Sequence, residues 1–228
     1  MLFLVLGRGK TGSVVAEVAT ERGHGVRVLG EEANSSGSAL TAPFLAGFDA
    51  VIDFTTPDAV IPNLKACLAT GACVVVGTTG WYSHLPEMRA MAERRRAGLL
   101  YGTNFSIGVQ ALLKVAKALA TGAPGYEFSI TETHHTGKLD VPSGTALTIQ
   151  QVLQTAHPGL EVKIESKREG DAPGTHVIHA RSASDLIELK HESFSRRGFA
   201  EGAVRAAEWL AGRVGSFDFQ DVYEQMAL

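Results

Sequence analysis

An apolar run, Met1 to Leu6, ends on Gly7-Arg8-Gly9-Lys10-Thr11-Gly12, and apolar residues at helix period follow as far as Arg22. A GxGxxG between a strand and a helix constrains the fold more than any other feature of this chain. Its glycines allow a tight turn, a close approach of backbone to a pyrophosphate, and contact of the helix with the strand. The helix start then offers amide N–H groups to a bound anion. An acidic pair, Glu31-Glu32, closes the next strand pattern about 20 residues on, where a carboxylate accepts the ribose hydroxyls of a dinucleotide. Glu31 or Glu32 in that role favours the unphosphorylated ribose of NADH. Arg8 and Lys10 could compensate the 2′-phosphate of NADPH, so the pattern leaves both cofactors open.

Strand patterns at 2–6, 26–29, 50–54, 72–76 and 99–102 alternate with helix patterns at 11–22, 58–69 and 84–97. Short apolar strands separated by helices are the signature of a parallel sheet covered on both faces. The 31–47 stretch, rich in Ser, Gly, Ala and Asn, has little room for a full crossover helix, so that side of the sheet is expected to be abbreviated. Pro62 should kink its helix or move its start.

After Asn104 the rhythm changes. A helix pattern at 107–121 leads to strand patterns at 127–133, 161–167, 175–182 and 185–191, with one helix pattern, 145–155, among them. Strands that follow one another without helices indicate a mixed or antiparallel sheet and a second domain. Helical patterning resumes at Phe199 and could pack back on the first domain. The expected architecture is α/β: a Rossmann-like, parallel-sheet dinucleotide-binding domain from 1–104 and 199–228, and an α+β substrate domain with a mixed sheet from 105–198.

Composition narrows the functional classes. With 228 residues, 45% hydrophobic and 20% charged, the chain can bury a sizeable core. A net charge of −3 gives no overall field for nucleic acid, and Arg94-Arg95-Arg96 reads as the charged end of a helix. Cys67 and Cys73 have no CxxC partner, so two free thiols in a reducing cytoplasm are expected. The run ending at Leu6 is too short for a signal peptide or a membrane span, and no membrane partner is expected.

The chemistry concentrates between Glu132 and Ala146, where two imidazoles, an amine, two carboxylates and a Ser-Gly-Thr turn share one segment. Because a helix pattern begins there, the N–H groups of Ser143, Gly144 and Thr145 should form an anion cradle. A histidine, with an ordinary pKa of about 6.5, exchanges protons near neutral pH, and Lys138 would draw in an anionic substrate. His134 and His135 face opposite sides of an extended chain, which argues against their sharing a metal, and no metal is expected. His176 and His179, three apart in a strand pattern, read as structural or surface histidines. Two loops beyond carboxyl ends of strands, Gly77-Thr78-Thr79-Gly80 and Gly102-Thr103-Asn104-Phe105, could line the nicotinamide half of the cofactor. Gly-Thr turns also end strands with no ligand present.

The element His134-His135-x-x-Lys138-x-Asp140-x-Pro142-Ser143-Gly144-Thr145-Ala146 resembles that of the 4-hydroxy-tetrahydrodipicolinate (dihydrodipicolinate) reductase family of bacterial and plant lysine biosynthesis. The resemblance covers nearly the whole chain, with support from 51–55, 77–80, 104–108, Arg168-Glu169-Gly170, 173–176 and 196–210. It implies NADH- or NADPH-dependent reduction of a cyclic dicarboxylate in the diaminopimelate and lysine pathway, and a homotetramer built through the central sheet. It also implies that His134 is the proton donor or acceptor, that Lys138 is a second donor, and that His135, Gly144 and Thr145 contact substrate. The chain departs from the family at Lys10-Thr11 in the glycine loop, and is short after the second strand and between Thr175 and Glu192. Two rivals are another small-molecule NAD(P)-dependent dehydrogenase and a nicotinamide-sensing protein without chemistry. The His-His-Lys cluster argues against the sensor, which needs no proton donor.

Overall fold

The N-terminal apolar runs fold as β1 (Leu2–Leu6), β2 (Gly25–Leu29), β3 (Ala50–Asp53), β4 (Cys73–Val76) and β5 (Gly98–Tyr101). In the computed structural model, which describes residues 1–226, the chain divides into two units. The first comprises Met1–Ser106 and the chain from Arg197 onward, and the second Ile107–Arg196. The first unit holds an all-parallel sheet in the order β10-β5-β4-β3-β1-β2, where β10 is Gly215–Asp218. Phe3, Leu4 and Val5 have no exposed surface, which explains why these strands read as continuous apolar runs rather than alternating ones. Each such side chain contributes about 1.5–3 kcal/mol on burial.

Helices α1 (Lys10–Glu21), α3 (Pro57–Ala69), α4 (Leu85–Arg95) and α7 (Arg197–Leu210) cover this sheet. Between β2 and β3 the chain makes two 3-10 turns and the four-residue α2 (Ala42–Leu45) in place of a crossover helix, the abbreviation expected there. Pro62 neither breaks α3 nor moves its start past 62. The carbonyl that its missing N–H would have engaged belongs to Asp58, in the first turn behind Pro57. Helix α7 packs on α1 and on β3, β4 and β5. Its Gly202 permits close contact, because a Cβ there would lie 1.7 Å from the carbonyl oxygen of Phe105.

Strand β10 and the short α8 (Phe219–Val222) were not anticipated. Gly215-Ser216-Phe217-Asp218 contains one strong strand former, yet it pairs in parallel with β5, from Gly215 opposite Gly98 to Asp218 opposite Tyr101.

The second unit contains α5 (Ile107–Gly122), β6 (Glu127–His134), α6 (Gly144–Ala156), β7 (Val162–Arg168), β8 (Thr175–Arg181) and β9 (Leu186–Glu192). Its sheet runs β7-β6-β8-β9; β6 and β7 are parallel and the other pairs antiparallel, hence a mixed sheet. Alternation is clean on β6 and β8. Phe128, Ile130, Ile178 and Ala180 face a core completed by Ile149 and Leu153 of α6 and by Val109, Leu113 and Ala116 of α5. Among the described residues no helix is long and apolar enough to cross a membrane.

Candidate active site

Along β6 the buried face passes from Phe128 and Ile130 to Glu132 and His134, so the apolar stripe becomes an acid–base pair at the strand's end. Glu132, with no exposed surface, stands directly opposite His176 on β8, and His134 is in register with Arg168 on β7. Oε1 of Glu132 accepts the Ser143 N–H at 3.0 Å and the Arg168 guanidinium at 3.2 Å. Oε2 lies 3.0 Å from Nδ1 of His134 and 3.8 Å from Nε2 of His176. The two imidazoles meet edge to face, with centroids 5.1 Å apart. On its other side His134 abuts Gly174, where a Cβ would come within 3.0 Å of Nε2.

The electrostatics follow from this packing. Burial raises the Glu132 carboxyl, but hydrogen bonding from Ser143, the nearby Ser166 hydroxyl and the charge of His134 outweigh it and hold it near 2. Burial lowers His134; Glu132 opposes that shift, and Lys138 and Arg168 add to it. His176 is pushed down to about 4 by burial and then by the charge of His134. The result is a fixed anion beside two imidazoles that are neutral at neutral pH, one of them able to gain and give a proton.

Glu132, His134 and His176 each present a ligand atom within 4.8 Å of the others. His134 and His135 were expected to share no metal, and it is His176, not His135, that the strand pairing sets beside His134. The Arg168 guanidinium on the same carboxylate, and the Lys138 charge felt at His134, raise the cost of a further cation, so the trio is better suited to handling a proton.

The anticipated anion cradle is partly spoken for. Ser143, the N-cap of α6, spends its N–H on Glu132, while its Oγ accepts from Ala146 N–H at 3.2 Å and lies 3.2 Å from His176 Nε2. It therefore braces the cluster, and of its polar groups one hydroxyl site remains beyond these contacts. The Lys138 ammonium lies 2.7 Å from Oδ1 of Asp140. Partial burial raises the Asp140 carboxyl, but Lys138 and the N–H groups of Asp140 and Gly144 hold it below the ordinary carboxylate range. Gly144 is exposed and Thr145 buried. His135, half-buried, gives its N–H to the Ala172 carbonyl at 2.9 Å.

In the first unit the glycine loop fits a dinucleotide. Gly7 has φ +101° and a Cβ there would meet the Phe54 carbonyl at 2.2 Å, while one on Gly12 would meet the Gly7 carbonyl at 2.3 Å. A Cβ on Gly9 would meet nothing within 4 Å. Turn, open backbone and helix contact thus fall on Gly7, Gly9 and Gly12 in the order a pyrophosphate requires. Lys10 and Thr11 open α1 behind Gly9, whose N-cap has no side-chain hydrogen bond. Glu31 is exposed in the turn after β2. Arg8 and Glu32 flank Gly30, their side chains 3.1 and 3.2 Å from where its Cβ would stand.

Three of the strand-end residues are committed to packing. The Thr78 hydroxyl accepts the Thr55 N–H and lies 2.8 Å from Oδ1 of Asp53, a fully buried carboxylate that also takes Asn63 at 2.9 Å. Gly77 makes room for the Phe54 ring, which a Cβ would approach to 2.2 Å. Phe105 is 1% exposed and packs on Phe219. Thr79 and Thr103 are exposed, and Asn104 accepts the Ser106 N–H at 2.8 Å. Gly102 is buried, with Phe219 2.9 Å from its Cβ position.

Sequence reasoning gave no role to Glu132, Arg168 or Asp53, and read His176, which is buried, as structural or surface without placing it at the site. Strand parity was the available signal: Glu132 shares a face with Ile130, and His176 with Ile178.

A glycine-loop parallel sheet joined to a mixed-sheet unit with a buried His–Glu pair defines the class of nicotinamide-dependent oxidoreductases. The N-terminal dihydrodipicolinate reductase family model matches residues 1–105, and the C-terminal one residues 108–223. The chain belongs to the dihydrodipicolinate reductase family. It is 38% identical over 237 aligned residues to the 4-hydroxy-tetrahydrodipicolinate reductase of Natronomonas pharaonis, covering 93% of this chain and 96% of that one. It is 34% identical to the enzyme of the same name from Christiangramia forsetii, covering 99% of each. The fold is shared with a dipicolinate-bound dihydrodipicolinate reductase from Paenisporosarcina sp. TG-14, with TM-score 0.75, 23% identity, and coverage of 97% and 99%.

Proposed function

We propose that the chain reduces 4-hydroxy-tetrahydrodipicolinate to tetrahydrodipicolinate, taking hydride from NADH or NADPH, in the diaminopimelate and lysine pathway. The observation that carries this reading is the Glu132–His134 pair, buried and in contact at 3.0 Å, within the stretch that the C-terminal family model matches. After hydride reaches the conjugated imine, the electron-rich carbon or nitrogen takes a proton. His134 supplies it, and Lys138 attracts the dicarboxylate and acts as second donor. Ser143, Gly144, Thr145 and His135 hold the substrate at the start of α6, where developing or fixed negative charge is favoured. Asp140 gives up Lys138 to the incoming carboxylate.

The nicotinamide dinucleotide supplies the hydride when bound. Gly7, Arg8, Gly9, Lys10, Thr11 and Gly12 would hold its pyrophosphate, and Glu31 or Glu32 its ribose. The 77–79 and 102–105 loops would contribute backbone, since Thr78 and Phe105 turn inward. The reading includes NADH binding at least as tight as NADPH binding, a homotetramer and a cytoplasmic location. Loss of reduced-nicotinamide absorbance on adding the condensation product of aspartate semialdehyde and pyruvate tests the activity; no loss with either cofactor overturns it.

A further inference from the structure

We propose that Glu132 is the positioning residue for the proton-transferring imidazole of His134, and that it ties that imidazole to the start of α6. The inference rests on His134 being the proton donor. Oε1 of Glu132 is anchored from two separate elements, by the Ser143 N–H at 3.0 Å and the Arg168 guanidinium at 3.2 Å, so that oxygen is fixed and the other is left to face His134. Oε2 then stands 3.0 Å from Nδ1 of His134. The approach lies outside hydrogen-bond geometry and neither atom has another partner among the described residues, but a bare Nδ1 lone pair facing an ionised carboxylate at this distance is repelled while an Nδ1–H is attracted, so the carboxylate favours the hydrogen on Nδ1 in both charge states of the ring.

Nε2 is thereby the atom that gains and gives the proton. Turning the ring over would exchange Nδ1 for a carbon at the carboxylate, losing the contact, and the ring is wedged between the His176 edge at 5.1 Å and Gly174. His176 Nε2, 3.8 Å from Oε2, is beyond hydrogen-bond distance and packs against that side of the pair. Because the Ser143 N–H is spent on Glu132, the helix start that would receive a substrate carboxylate and the proton donor share a single brace.

Two measurements test this. In protein carrying 15N-labelled histidine, a long-range 1H–15N correlation spectrum at a pH where His134 is neutral should show Nδ1 protonated and Nε2 bare; the opposite tautomer overturns the proposal. In Glu132→Gln the amide oxygen can keep the Ser143 N–H while its NH2 donates to Nδ1, inverting the tautomer. We expect kcat to fall about ten- to a hundredfold, part of the ~10²–10⁴ a positioned acid contributes. KM for the condensation product and NADH affinity should stay within about threefold, and Glu132→Asp should regain part of kcat. An unchanged kcat, or a loss confined to KM, in Glu132→Gln refutes the positioning role while an impaired His134→Gln leaves the donor in place. A His134→Gln enzyme at the parental rate refutes the donor itself. Should Glu132→Gln fail to fold, the tautomer of the parent protein decides.

Discussion

Oδ1 of Asp140 lies 2.7 Å from the ammonium of Lys138, so the cation that should receive a substrate carboxylate already holds one belonging to the chain. Asp140 is largely exposed, and an exposed pair of this kind is worth about 0.2–1 kcal/mol. Displacing it therefore costs the ligand up to about fivefold in affinity. Asp140→Asn should bind pyridine-2,6-dicarboxylate more tightly, by no more than that factor, in a calorimetric titration. Weaker binding would mean that Asp140 organises the loop rather than competing for it.

Substitution at the two proton-handling residues should separate their roles. His134→Gln is expected to lower kcat by about 10²–10⁴ with a modest change in KM, because the lost interaction belongs to the transition state. Lys138→Ala should damage both constants and weaken pyridine-2,6-dicarboxylate binding while NADH affinity stays near that of the parent. Steady-state kinetics and titration check both, and a collapse of NADH binding in Lys138→Ala would assign the segment to the cofactor.

The glycine loop predicts opposite outcomes at neighbouring positions. Gly12→Ala forces a Cβ into the Gly7 carbonyl and should cost at least about 1–3 kcal/mol in urea unfolding. Gly9→Ala meets open space, so its stability should stay within about 0.5 kcal/mol of the parent. Its NADH affinity should nevertheless drop about tenfold, because the added methyl stands where backbone meets pyrophosphate. Equal stability losses in the two variants would contradict this division.

Acid should unfold the second unit by a defined route. Between pH 6.5 and about 4 the unfolded chain protonates His176 while the folded state refuses the proton, so stability falls with pH across that window. This group alone removes about 3 kcal/mol. Glu132 acts next, from 4.5 down to about 2, since its lowered pKa contributes stability that disappears as the carboxylate takes a proton. Unfolding free energy measured against pH should show both segments, and His176→Asn should flatten the upper one. A variant with an unchanged upper slope would rule His176 out as its source.

Both sheets were legible because their strands announce their surroundings. Val74, Val75 and Val76 are apolar without a gap, as burial on both faces requires, while Phe128, Ile130, Ile178 and Ala180 alternate. Strand β10 was hidden, since Gly215 and Ser216 carry no strand signal and pairing with β5 alone defines it. At the candidate site, His134 and Lys138 stood out by chemistry. Glu132 and His176 did not, for their significance lies in being directly opposite each other across two strands far apart in sequence. Thr78 was legible as a strand-end residue, but the direction of its hydroxyl depends on the buried Asp53 beneath it.

Strand β10 and helix α7 complete the first unit, yet both follow residues 107–196 in the chain. During synthesis, then, the later unit has all its strands while the earlier one still lacks a helix and an edge. Until Phe219 is made, β5 lacks its full edge partner and Phe105 lacks the ring that packs on it. A nascent chain halted after Arg196 would carry a finished insert on an unfinished host, and the vulnerability of this protein to premature termination lies in its first hundred residues rather than in those nearest the stop.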